Sequence, residues 1–234
     1  MSALNVSQVL ARANSAMVAS DQDVTGGLAS LLLGASQVLG ADSAAILVRA
    51  GKGLEVLAAS SHRAEDLEIH QAQEEEGPCV ESIDSGEPVV VSGAGTILSR
   101  WPTVGRHIVD AGYVEVGATP MTWHGECFGA LNIFGRSLAE DRVSRAAEAR
   151  ALADTATLLV LCQRETEGLL TRSLDEALAQ RATVERAKGA LGHVRSISMP
   201  AAFEALQQLA EAEGLTLGAA ARVVMRRARN SSLR

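Results

Sequence analysis

The sequence predicts an α+β protein: an antiparallel-sheet body, a long connecting helix and a C-terminal three-helix bundle. Two observations predict it. Apolar residues change period along the chain, from helical spacing at the start to short alternating runs in the middle. After Gly135 the strand-like runs cease, and Ala, Leu, Arg and Glu dominate. A length of 234 residues fits two ordinary domains better than one. Hydrophobic residues at 47% and charged residues at 21% suffice for a packed core and exclude wholesale disorder.

From Leu4 to Leu39 apolar residues recur at helical spacing, and Ser20-Asp21-Gln22-Asp23 can end one helix and cap the next. The stretch from Val24 to Gly40 is cut by Gly26, Gly27, Gly34 and polar residues, so it reads as a buried amphipathic helix and not a membrane span. Ala44–Arg49 and Leu54–Ala59 are strands joined by the hairpin signal Ala50-Gly51-Lys52-Gly53. Glu74-Glu75-Glu76-Gly77-Pro78 breaks the chain, with the acidic run expected in a solvated loop, before a short helix ending at Gly86. Pro88–Val91 is a further strand, and Trp101–Asp110 an irregular or helical loop. Val114–Met121 and Cys127–Phe134 form a second hairpin around Thr122–Glu126.

From Leu138 to about Leu191 there is no proline, and the only glycines are Gly168 and Gly189. That predicts a helix of roughly fifty residues. Its apolar stripe includes Leu152, Leu159, Leu174, Val184 and Leu191, interrupted by Gln163, Thr166 and Ser173. Such a length predicts a self-associating helix and a homodimer, without a perfect heptad seam. Ser198-Met199-Pro200 starts a second helix, Gly214 ends it, and Thr216 caps a third that runs to about Arg229. The expected division is 1–137 for the body, 138–170 for the connecting helix and 171–234 for the tail.

Charge divides the chain at the same place. Residues 1–170 sum to −11, and residues 171–234 to +4. This asymmetry points the tail, not the body, at an anion. Aromatic residues at 3% argue against a base-stacking surface. Cys79, Cys127 and Cys162 are too few and scattered for a disulfide framework, and the start lacks a signal peptide, so the expected setting is cytoplasmic. His124 and Cys127 are two ligands where a metal site needs more, so no metal is expected. No phosphate-binding loop, nucleophile elbow or His-Glu-x-x-His element is present, and a non-enzyme is expected.

Two resemblances cover nearly the whole chain. Ala177-Leu178, Arg181, Val184, Ala187-Lys188-Gly189, Leu191, Ala202-Phe203, Leu206, Leu209-Ala210, Leu217, Ala220 and Val223-Val224 resemble the ANTAR domain, an RNA-binding module of transcription antitermination regulators. Gly192, where that family usually has methionine, and the turn His193–Ile197 depart from the pattern. Gly40–Ala44, Ala58-Ala59-Ser60, Glu76-Gly77-Pro78-Cys79, Trp101-Pro102, Gly112, Pro120 and Gly129-Ala130-Leu131-Asn132 resemble a GAF domain. That resemblance implies a six-stranded antiparallel sheet with helices on one face and a ligand pocket, or its relic, on the other. The resulting expectation is a signal-responsive antiterminator that binds RNA stem-loops as a dimer.

In the tail, the expected RNA contacts are Arg181, Lys188, Gly189, His193, Arg195, Thr216, Arg222 and Arg226. Arg181 and Lys188 are seven apart on one helical face, and Arg222, Arg226 and Arg229 form a stripe. The amides after Thr216 form a helix N-terminus suited to a phosphate. In the body, Cys79, Trp101, Tyr113, Met121 and Trp123 are the candidate ligand residues. Cys79 follows Gly-Pro at a helix start, where the dipole would lower its pKa, so a redox signal stands beside a small-molecule one. Ligand and cofactor are left open. The alternative function is a protein-interaction or redox-sensing regulator with a vestigial pocket.

Overall fold

The computed structural model describes residues 5–18, 23–51, 53–137, 142–161 and 169–231. Cys162 and the stretch 162–168 within the expected long helix lie outside them. The chain opens with two helices, α1 (Val6–Val18) and α2 (Val24–Val38), as the spacing predicts. The cap expected before α2 is Asp23, whose side chain accepts from the Gly26 amide at 3.1 Å.

Five strands then form one antiparallel sheet in the order β2-β1-β5-β4-β3. They are β1 (Ser43–Ala50), β2 (Gly53–Ala59), β3 (Val89–Ser92), β4 (Glu115–Trp123) and β5 (Glu126–Gly135). Between β2 and β3 lie α3 (His62–Glu74) and α4 (Pro78–Ser85). Between β3 and β4 lie α5 (Ala94–Arg100) and α6 (Val104–Asp110). The sheet thus has five strands among the described residues, not the six implied by resemblance, and two short helices fill the β3–β4 connection.

The β4–β5 hairpin is tighter than expected. Its strands extend to Trp123 and Glu126, leaving only His124 (φ 49) and Gly125 (φ 87) in the turn. Two positive φ angles match the turn that follows the strands' right-handed twist.

The resemblance put helices on one face only, but both faces are covered. Along β1, Ala44, Ile46 and Val48 pack with α1, α2 and α7 (Arg142–Leu161), while Ala45 and Leu47 pack with α3 to α6. Alternation along a strand buried on both sides produces the unbroken apolar run seen in the sequence.

The expected helix of roughly fifty residues is described as two helices, α7 and α8 (Leu169–Arg195). α8 is shared between two cores. Leu174 and Ala177 complete the core on the α1–α2 face of the sheet. Further along, Val184, Ala187 and Leu191 pack with α9 (Met199–Glu213) and α10 (Leu217–Ser231) in a separate core. The expected three-helix tail is therefore present and rests against the body. Gly214, at φ 62, ends α9 as expected.

Candidate nucleic-acid interface

The eight tail positions do not form one open surface. His193 and Arg195 are exposed at the end of α8, and Arg222 and Arg226 are exposed along α10. Gly189 faces open space, with nothing within 4 Å of where a Cβ would stand. These five positions look to solvent. The other three, Arg181, Lys188 and Thr216, lie where the tail meets the body.

Arg181 donates to Glu65 Oε1 on α3. Lys188 is only 4% exposed. Its ammonium donates to both oxygens of Glu185, at 2.9 and 2.8 Å, and lies 3.9 Å from Glu65 Oε2. It also stands 5.4 Å from the centre of the Phe203 ring. Glu65 is thus a node: the carboxylate of one first-turn residue of α3 faces Arg181, Lys188 and, at 3.2 Å, His62 Nδ1. A cation buried this deeply needs such partners, because an unpaired charge out of water is costly.

The N-terminus of α10 is also occupied. Thr216 Oγ1 accepts from the Ala219 amide at 3.1 Å, as a cap should. Ahead of it, Asp23 Oδ2 accepts from the Leu217 amide at 2.7 Å while Oδ1 holds the Gly26 amide. One carboxylate therefore joins the positive ends of α2 and α10. The close approach requires glycine at position 26, where a Cβ would sit 2.2 Å from Asp23 Oδ2. A cleft of about 730 Å³ lies alongside, between body and tail, with Arg181, Lys188, Phe203, Glu65, Ser60 and Arg136 among its lining residues.

The five candidate ligand residues of the body are split by the sheet. Cys79, Trp101 and Tyr113 are buried on the α3–α6 face. Met121 and Trp123 pack on the α1–α2 face. They do not line one pocket: Cys79 on α4 and Trp101 and Tyr113 beside α5 and α6 lie on one side of the sheet, whereas Met121 and Trp123 of β4 face the other. Nor does the Cys79 thiol carry the lowered pKa expected of a helix start. It is fully buried, and desolvation, reinforced by the neighbouring Glu68, pushes it well up.

Sequence reading missed Glu68. It sits in the buried stripe Ala64-Leu67-Glu68-Gln71 of α3, a carboxyl where the spacing calls for an apolar residue. Asn132 Nδ2 donates to its Oε1 at 2.7 Å. Gln71 Oε1 accepts from the Cys79 amide at 2.9 Å. Glu68 Oε2, Asn132 Oδ1 and Gln71 Nε2 are buried without a hydrogen-bond partner among the described residues. Burial pushes the Glu68 carboxyl up to about 7.

The family model of the GAF domain matches residues 27–162, and that of the ANTAR domain matches residues 172–225. No curated protein matches the chain. Among solved structures, the phycoerythrobilin-bound GAF domain from a cyanobacterial phytochrome is 14% identical, with a TM-score of 0.51 over 75% of this chain and 98% of that one. The GAF domain from an Acinetobacter phosphoenolpyruvate-protein phosphotransferase is 12% identical, with a TM-score of 0.50 over 74% of this chain and 92% of that one. At these identities the likeness is one of fold. Among the described residues no helix is long and apolar enough to cross a membrane.

Proposed function

Because the chain belongs to the GAF family and joins that domain to a C-terminal ANTAR domain, we propose that it is a cytoplasmic, signal-responsive antiterminator acting on hairpins in nascent RNA. The general kind of regulator follows from its two parts, a signal-sensing domain and an RNA-binding antitermination domain. In this reading residues 1–137 sense, 138–170 connect and 171–234 bind RNA, and no step requires catalysis by the chain itself.

The observation that carries the reading is the coincidence of the ANTAR match with the basic end of the chain. The matched residues 172–225 include Arg181, Lys188, His193, Arg195 and Arg222, on an otherwise acidic molecule. Exposed arginines at the end of α8 and along α10 supply phosphate contacts, and their attraction falls with salt. Two tails in a homodimer would grip adjacent stem-loops. Binding the second then becomes intramolecular, which raises avidity without new contacts. A small-molecule signal at the body would act by shifting the population of tail arrangements.

A mobility-shift titration with a two-hairpin leader RNA tests this. Lys188→Ala and Arg195→Ala should each weaken binding by on the order of tenfold, the cost of a lost charge-assisted contact. Undiminished binding by both variants would overturn the assigned surface.

A further inference from the structure

We infer that the structure is a closed state, in which carboxylates of the body stand where RNA phosphates would bind the tail. This rests on the RNA-binding reading above and adds its regulation. Three features of the tail suit a phosphate: the Arg181 guanidinium, the Lys188 ammonium and the N-terminus of α10. Body carboxylates bond two of them and approach the third, Lys188, whose direct partner is Glu185 on α8 itself. Glu65 takes Arg181 and approaches Lys188 to 3.9 Å, and Asp23 takes the Leu217 amide at 2.7 Å. A carboxylate and a phosphate oxygen make the same demands, negative charge and acceptor lone pairs aimed at N–H donors.

The two carboxylates come from well-separated parts of the body, the start of α2 and the first turn of α3, yet converge on one face of the tail. Thr25 adds a contact beside them, its hydroxyl 3.5 Å from Gln180 Oε1 on α8. Arg195, Arg222 and Arg226 remain exposed. The closed form can therefore meet RNA through its outer arginines but lacks the inner contacts. RNA and the body compete for one surface, and the affinity measured is the open-state affinity scaled by the fraction of open protein.

Hairpin RNA titration of the full chain tests this, comparing wild type with the double variant Asp23→Ser, Glu65→Gln. Serine keeps a capping oxygen for α2 but cannot bridge two helices, and glutamine keeps the size of Glu65 without its charge. Circular dichroism confirms that the variant is folded. The double variant should bind on the order of tenfold more tightly than wild type, about 1.4 kcal/mol. Adding Lys188→Ala should remove that gain, and the Leu217 amide should exchange faster with deuterium in the RNA-free double variant. Equal affinities for wild type and double variant, with Lys188→Ala weakening both, would overturn the closed state and leave RNA binding intact. Absence of RNA binding by every form at low salt would overturn both.

Discussion

Asn132 holds one oxygen of Glu68, and the other, fully buried, accepts no hydrogen bond among the described residues. The carboxyl is raised from its ordinary 4.5 to about 7, with burial as the largest cause. The sign of the linkage follows. In the unfolded chain the group ionises near its ordinary value, and in the folded protein only near neutrality. Its contribution to stability is fully present below about pH 4.5 and is lost as pH rises through about 7. The whole effect is roughly 3 kcal/mol. Glu68→Gln should remove this penalty, since an uncharged amide can meet the Asn132 amide with two hydrogen bonds. The melting temperature of the variant should exceed that of wild type by several degrees at pH 8 and approach it near pH 4.5, as followed by calorimetry across that range. A constant difference at all pH values would show that ionisation of Glu68 is not the cause.

Among the elements, the acidic run after α3 does more than the solvated loop expected of it. Glu76 Oε1 accepts from the amides of Thr103 and Val104, both at 2.8 Å, and so caps α6 from across the domain. The local cap residue, Thr103, makes no side-chain capping bond. Glu76→Ala leaves two amides without this acceptor and should cost about 1 kcal/mol, read as a lower urea midpoint with an unchanged slope. This contrast marks what was legible in the sequence. Asp23 before α2 and Thr216 before α10 act over three residues, and their caps were readable from local pattern. Glu76 on α6, Glu65 on Arg181 and Asp23 on Leu217 act between distant segments. No periodicity encodes them. The same limit split the ligand candidates: aromatic and thiol residues were legible, but which side of the sheet α4 and the β3–β4 connection pack on is set by contacts between distant segments.

At the scale of the whole molecule, α8 decides how body and tail behave. Its apolar stripe, after the interruption at Ser173, continues from Leu174 to Leu191 with no sign of a change of partner, and periodicity reports which side of a helix is buried but not what buries it. Leu174 and Ala177 belong to the core under the sheet, while Val184, Ala187 and Leu191 belong to the tail. One helix carrying both sets ties the two cores together, so unfolding one removes packing from the other. Wild type should therefore melt as one cooperative unit despite its two domains. Leu174→Asp places a charge in the body core and leaves every residue of the tail core in place. The tail should then uncouple, and calorimetry should resolve two transitions where wild type shows one. A single transition, merely lowered, would mean that the coupling runs through the Asp23 and Glu65 contacts and not through the shared helix. Combining Leu174→Asp with Asp23→Ser and Glu65→Gln separates these routes, since two transitions that appear only in the triple variant would assign the coupling to the carboxylates.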